Sequence, residues 1–163
     1  MSFPARLPLS LALAFLLVSC RQPPEAFLLP EGITFRDLAS GREINPREYR
    51  GRVLVLHLWA AWSPASIREI PELAELSKLY AQRGLVILGV CLDESSAAEL
   101  VVFAERQGAR YPLVRPGPRL LDEIQPLETI PYTVLYSPGG KVLARFRATW
   151  KTGELREVIK KNL

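Results

Sequence analysis

Two apolar runs separated by an amphipathic segment constrain the fold of this chain more strongly than any other feature. The runs are VLVLHLW at 53–59 and LVILGVCL at 85–92, and His57 is the one polar residue in the first. Continuous apolar runs of this length are typical of strands covered on both faces, as in parallel sheets. Apolar residues at helical spacing across 64–82 predict an intervening helix. The sequence therefore predicts two parallel neighbouring strands joined by a right-handed crossover.

The segments around this unit predict a mixed sheet rather than a purely parallel one. Alternating apolar residues, turn residues and helix caps indicate further elements on both sides. These are a hairpin between residues 33 and 44, a helical turn at 46–49, a helix from Ser95 or Ser96 to about Gln107, a short strand at 111–114, a brief helix at 119–124, strands at 132–136 and 142–148, and a helix at 154–162 capped by Thr152. The predicted fold class is α/β, a central mixed sheet flanked by helices with an N-terminal β-hairpin.

The first 32 residues predict export and attachment. Residues 1–19 combine a basic residue with an apolar run of about a dozen residues, which is too short to cross a bilayer and fits a signal peptide. The run ends in Leu-Val-Ser-Cys at Cys20, which resembles a bacterial lipobox, so we expect Cys20 to be acylated and to anchor the protein to the membrane. An ordinary signal peptide cut nearby, or an uncleaved anchor, is the alternative. Residues 20–32 are then the lipidated tether, and residues 33–163 the domain.

A Ser-Pro-Ala-Ser tetrapeptide occupies residues 63–66, where the first apolar strand gives way to the helix. Ser63 suits the N-cap and Pro64 suits the first helical position. Trp62 precedes the tetrapeptide and is expected to be partly exposed, as a contact surface for a bound peptide. Trp59 is expected in the core.

Cysteine content and charge exclude several kinds of site. The chain has two cysteines, so acylation of Cys20 would leave Cys91 without a disulfide partner in its own chain. Together with His57 these cysteines have no metal-ligand spacing, and we expect no metal and no other cofactor. The net charge of +4 is modest and predicts no nucleic-acid partner.

Five sequence features give residues 33–163 a family resemblance. They are the leading hairpin with YRGRVLVLHLWAAW, the tetrapeptide in the place of Cys-Pro-x-Cys, a helix containing Pro71, the segment GLVILGVCLDE, and TIPYTVLYSPGGKVLARF. The region resembles the redoxin-like, thioredoxin-fold lipoproteins of the TlpA/ResA type, the membrane-tethered thiol-disulfide oxidoreductases of the bacterial cell envelope. The resemblance implies a cis-proline at Ile130-Pro131 and an extracytoplasmic peptide or protein partner bound near Trp62, Pro64, Ile130 and Pro131.

The departure from this family lies at the centre of the motif. The family's first cysteine is the nucleophile, activated at a helix N-terminus, and its second cysteine resolves the mixed disulfide. Ser63 and Ser66 stand in these two places. A hydroxyl group forms no exchangeable bond to sulfur, so the site is predicted to be redox-inactive. We therefore expect a membrane-tethered module that binds an extended peptide in the family's groove.

One alternative is a nucleophilic serine. His57 lies six residues before Ser63, where thioredoxins hold a buried acid, so it is expected to approach Ser66 from beneath. A Ser–His pair is the beginning of a nucleophilic site. No orienting carboxylate is evident, however, and the favoured interpretation is a neutral core histidine hydrogen-bonded to Ser66 or to backbone.

A second alternative is chemistry at Cys91, either thiol-disulfide exchange or a thiol-dependent antioxidant activity. Cys91 falls near the C-terminal end of the second apolar strand, at the same end of the sheet as the motif. A free cysteine more often behaves as a small buried apolar residue. The Pro-x-x-x-Thr/Ser-x-x-Cys pattern of peroxiredoxins is also absent from the loop at 59–66.

Overall fold

The centre of the fold is a seven-stranded mixed sheet. A computed structural model describes residues 29–124, 127–151 and 153–163. The strands are β1 (Phe35–Asp37), β2 (Glu43–Ile44), β3 (Val53–Trp59), β4 (Leu85–Cys91), β5 (Leu113–Pro116), β6 (Tyr132–Tyr136) and β7 (Val142–Arg147). The α-helices are α1 (Pro64–Tyr80), α2 (Ala97–Arg106), α3 (Pro118–Glu123) and α4 (Glu154–Asn162), with 3-10 turns at Pro46–Tyr49 and Ala81–Arg83.

The strand order is β2-β1-β5-β4-β3-β6-β7. Strands β3 and β4 are parallel neighbours, in register from Val53 opposite Leu85 to Trp59 opposite Cys91. This confirms the predicted βαβ unit. Strand β6 lies antiparallel to the other side of β3 and pairs with β7 in the predicted hairpin. The predicted α/β mixed sheet with an N-terminal hairpin is confirmed.

The sheet has an apolar core on each face because alternate residues of a strand point to opposite sides. Odd-numbered apolar residues of β3 pack with α1, α2 and α4, whereas its even-numbered leucines pack with α3 and the segment that leads into β1. His57 is odd-numbered, so it lies on the α1 face. This alternation decides which helix supplies the neighbours of that histidine.

The start of the packed region and the start of β5 differ from the prediction. Leu29 and Ile33 are each only 2 % exposed, so the packed region extends at least four residues into the tether predicted at 20–32. Strand β5 begins at Leu113 rather than at residue 111, and Pro112, which has no amide hydrogen to donate, precedes it. The predicted signal peptide, Cys20 and Thr152 lie outside the described residues. Within the part of the chain that the structure describes, no helix is long and apolar enough to span a membrane.

Candidate functional site

The tetrapeptide forms the start of helix α1, as predicted. Ser63 is the N-cap in an extended conformation, and its Oγ accepts a hydrogen bond from the backbone amide of Ser66 at 3.3 Å. Pro64 is the first helical residue, where its missing amide hydrogen costs nothing. Both serines are buried, Ser66 completely. The hydroxyl of Ser63 therefore stabilises the helix end, and the hydroxyl of Ser66 faces the interior.

The two tryptophans before the tetrapeptide have opposite environments. Trp59 is buried in the core, whereas Trp62 is 69 % exposed. Strand β3 pairs Leu58 with Tyr132 of β6, so the Ile130-Pro131 bond lies beside the point where the motif loop leaves β3. That bond is cis, as the resemblance implied.

The neighbouring strand closes the other side of this proline. Strand β7 pairs Arg147 with Tyr132, so Ala148 follows next to Pro131. Ala148 has φ of 66°, a left-handed backbone conformation that is uncommon for a residue with a side chain. Such outliers concentrate at functional sites, where the surrounding structure enforces them.

His57 is buried beneath the motif, but its partners are not the predicted ones. Its Nδ1 lies 3.0 Å from Thr133 Oγ1 and 3.6 Å from Glu69 Oε2. The predicted hydrogen bond to Ser66 is wrong, because Ser66 Oγ and His57 Nε2 have no hydrogen-bonding partner among the described residues. Burial lowers the pKa of His57 to about 3, so the ring is neutral. The prediction of a neutral core histidine agrees with this environment.

Glu69 is the residue of this site that the sequence interpretation missed. It lies on α1, three residues after Ser66, and is only 6 % exposed. Burial raises its pKa to about 8, with a further increase from the nearby charge of Glu72 and an opposing effect of the Trp150 backbone amide. The helical spacing from Ser66 was the available signal, because residues three apart share a helix face.

This arrangement does not make Ser66 a nucleophile. A nucleophilic serine needs a base within hydrogen-bonding distance and a third group that orients the base. The carboxyl of Glu69 is near His57, although no orienting carboxylate is evident in the sequence, but its raised pKa of about 8 keeps it largely protonated at neutral pH. The pair His57–Glu69 therefore carries no net charge beneath the motif.

Cys91 is also buried, at the C-terminal end of β4 beside Trp59. Its thiol donates to Asp93 Oδ2 at 3.6 Å, and burial raises its pKa to about 11. The same Asp93 oxygen accepts the backbone amide of Ala61 at 2.6 Å, which joins the end of β4 to the motif loop. Among the described residues, no cluster of three or more histidine, cysteine, aspartate or glutamate side chains is arranged to hold a metal ion.

Together, the sheet order, the capped helix and the opposing cis-proline define a thioredoxin-fold protein whose two motif thiols are replaced by hydroxyls. Residues 25–159 match the model of the AhpC/TSA family, and the chain belongs to that family.

Relatives that are similar to this chain in sequence carry the name thiol-disulfide oxidoreductase ResA. The chain is 29 % identical to the protein of Geobacillus thermodenitrificans over 117 residues, which cover 72 % of this chain and 67 % of the relative. It is 30 % identical to that of Geobacillus kaustophilus over 102 residues, covering 63 % and 58 % of the two chains. Among solved structures, a thiol:disulfide interchange protein of Chlorobium tepidum superposes with a TM-score of 0.69 at 19 % identity, covering 79 % of this chain and 91 % of that one. The last similarity shows the shared fold.

Proposed function

We propose that this chain is a membrane-tethered, extracytoplasmic thioredoxin-like module that binds extended peptides and carries out no thiol chemistry at its motif. The observation that carries the proposal is the pair of serines at 63 and 66, in the two places where the resemblance implies reactive cysteines. The export and anchoring part rests on the sequence of residues 1–20.

Thiol-disulfide exchange requires a thiolate that can reach a disulfide sulfur. Neither Ser63 nor Ser66 supplies one. Cys91 is 1 % exposed, and with a pKa of about 11 only about one thiol in 10,000 is ionised at neutral pH. The reactivity expected of this domain is therefore very low.

Binding, in contrast, needs only the shape around the motif. Trp62 exposes a large ring in the motif loop, which leaves β3 beside Ile130-Pro131, and a ring of this kind supplies contact area with a small loss of side-chain entropy. An extended peptide beside Pro131 would pair with backbone groups, and the Trp62 ring would cover its side chains. These are the parts of the groove that do not depend on sulfur.

Panning a phage-displayed library of short peptides against the mature protein tests the binding proposal. We expect enriched peptides whose affinity falls at least about tenfold in Trp62→Ala, because exposed aromatic anchors dominate such interfaces. Val102→Ala is the matched control, since Val102 is another exposed apolar residue, 47 % exposed, on α2. A library that yields no binding peptide, or equal losses in both variants, would contradict the proposal.

A second candidate is a thiol-disulfide oxidoreductase or thiol-dependent antioxidant that uses Cys91. The observation in its favour is the hydrogen-bonded connection from Cys91 through Asp93 to the motif loop. Insulin-reduction and peroxide-consumption assays on the mature protein decide between the two. Turnover that disappears in Cys91→Ser would establish the second candidate, and we expect none above background.

A further inference from the structure

A cleft of about 420 Å³ opens at the carboxyl ends of β4 and β5. The volume is within the range of small-ligand sites. Its apolar lining comes from Leu92, Pro116, Leu121 and Leu127.

Two chain segments that line this cleft lead to the proposed peptide groove beside Trp62 and Ile130-Pro131. On one side, Asp93 lines the cleft and accepts the amide of Ala61, the residue before Trp62. On the other side, Leu127 lines the cleft three residues before Ile130. A peptide that lies against Trp62 and Ile130-Pro131 could therefore place a neighbouring side chain in the cleft without leaving the surface.

The charges of the cleft favour a cation. Arg115 lines it and donates to the backbone carbonyls of Asp93, at 2.6 Å, and Ser95, which are neutral, so its charge remains. Two carboxylates and one guanidinium therefore give the lining a formal net charge of −1. The carboxylate of Asp93 is engaged by Ala61. Glu94 also lines the cleft, is exposed, and makes no hydrogen bond or ion pair with any residue in the described ranges. The carboxylate of Glu94 is therefore available to a ligand, next to the apolar residues that line the cleft.

We propose that this cleft is a side-chain subsite of the peptide groove, and that it takes a lysine or arginine of the bound peptide. The aliphatic stem packs on Leu92 and Leu121, and the cationic head meets Glu94. Long basic side chains combine these two requirements, because their methylene groups bury on apolar surface while the charge stays at the edge. The inference rests on the proposed peptide-binding function, whose groove it extends.

Peptides enriched on the wild-type protein supply the probe for the test. One selected peptide is synthesised with lysine, with acetyl-lysine and with alanine at each basic position, and its affinity is measured by fluorescence anisotropy. We expect acetylation at one position to weaken binding about twofold to fivefold, as for an exposed charge pair. Replacement by alanine should weaken it further, since the stem is lost.

The variant Glu94→Gln shows whether the effect of lysine acetylation arises at Glu94. We expect it to weaken binding of the lysine peptide by the same factor and to leave the acetyl-lysine peptide unchanged. Glu105→Gln, at an exposed carboxylate on α2, is the matched control and should change neither. Equal effects of the two variants, or a Glu94→Gln effect that persists with acetyl-lysine, would overturn the subsite while binding at Trp62 remained. If no peptide binds the wild type, the proposed function itself fails, and the subsite fails with it.

Discussion

The buried pair His57–Glu69 gives the sharpest prediction, a dependence of stability on pH that Glu69→Gln removes. Folding raises the pKa of Glu69 from 4.5 to about 8. The stabilisation that Glu69 contributes is therefore fully present below pH 4.5 and is lost as the pH rises to 8. Folding lowers the pKa of His57 from 6.5 to about 3. The stabilisation that His57 contributes is therefore present above pH 6.5 and is lost as the pH falls to 3. Between pH 4.5 and 6.5 the two slopes cancel.

The size of the change in stability follows from the pH range in which the two slopes do not cancel. From pH 6.5 to about 8, the folded state holds one proton more than the unfolded chain, on Glu69. Each pH unit then costs about 1.4 kcal/mol, so the free energy of unfolding should fall by at most about 2 kcal/mol. Glu69→Gln keeps a neutral side chain of similar shape, and its stability should stay flat across this window.

Urea unfolding followed by tryptophan fluorescence, at about pH 4.5, pH 6.5 and pH 9, measures the difference. Glu105→Gln should keep the wild-type decline. In His57→Asn the decline should begin near pH 4.5, because nothing cancels the slope of Glu69 below pH 6.5. The reasoning is refuted if Glu69→Gln loses as much stability as the wild type. Carboxyl carbon chemical shifts then show directly whether Glu69 holds the proton at neutral pH.

Three further predictions concern the motif and its surroundings. Ala148→Gly should raise the free energy of unfolding by about 1 kcal/mol, because glycine adopts a φ of 66° without the cost of a Cβ; no gain in thermal unfolding would argue against strain there. Ser63→Ala should lower that free energy by about 1 kcal/mol through loss of the N-cap, while Ser63→Asp should retain most of it; equal losses would exclude capping. The double variant Ser63→Cys with Ser66→Cys should reduce insulin, because the first thiol gains the helix N-terminus. The single variant Ser63→Cys should trap mixed disulfides instead, and a double variant without turnover would show that the site has lost its redox geometry.

Much of the fold could be predicted from the sequence because the main signals for it are local or periodic. The parallel pairing of 53–59 with the second apolar strand follows from two continuous apolar runs and one helix between them. The capping role of Ser63 follows from its position before Pro64. The prediction of a cis bond at Ile130-Pro131 rests on the family resemblance, because composition alone does not distinguish a cis from a trans proline.

The parts that the sequence did not supply depend on long-range register and on protonation. Thr133 becomes the partner of His57 only because β3 pairs with β6 in one register, which places the two residues opposite each other. Glu69 looks like a surface acid because a charged carboxylate is costly to bury. It is accommodated by holding its proton, a property that belongs to the folded site. Leu29 was missed because its neighbours are typical of a tether.

The hydrogen bond from Ala61 to Asp93 has a consequence for exchanges between cysteine and serine in the motif. It holds the motif loop to the end of β4 without using the side-chain atoms of positions 63 and 66. Exchange of sulfur for oxygen at these positions therefore leaves this anchor of the loop intact. The same anchor would hold the loop in the reverse change, from hydroxyls to thiols, that Ser63→Cys with Ser66→Cys makes.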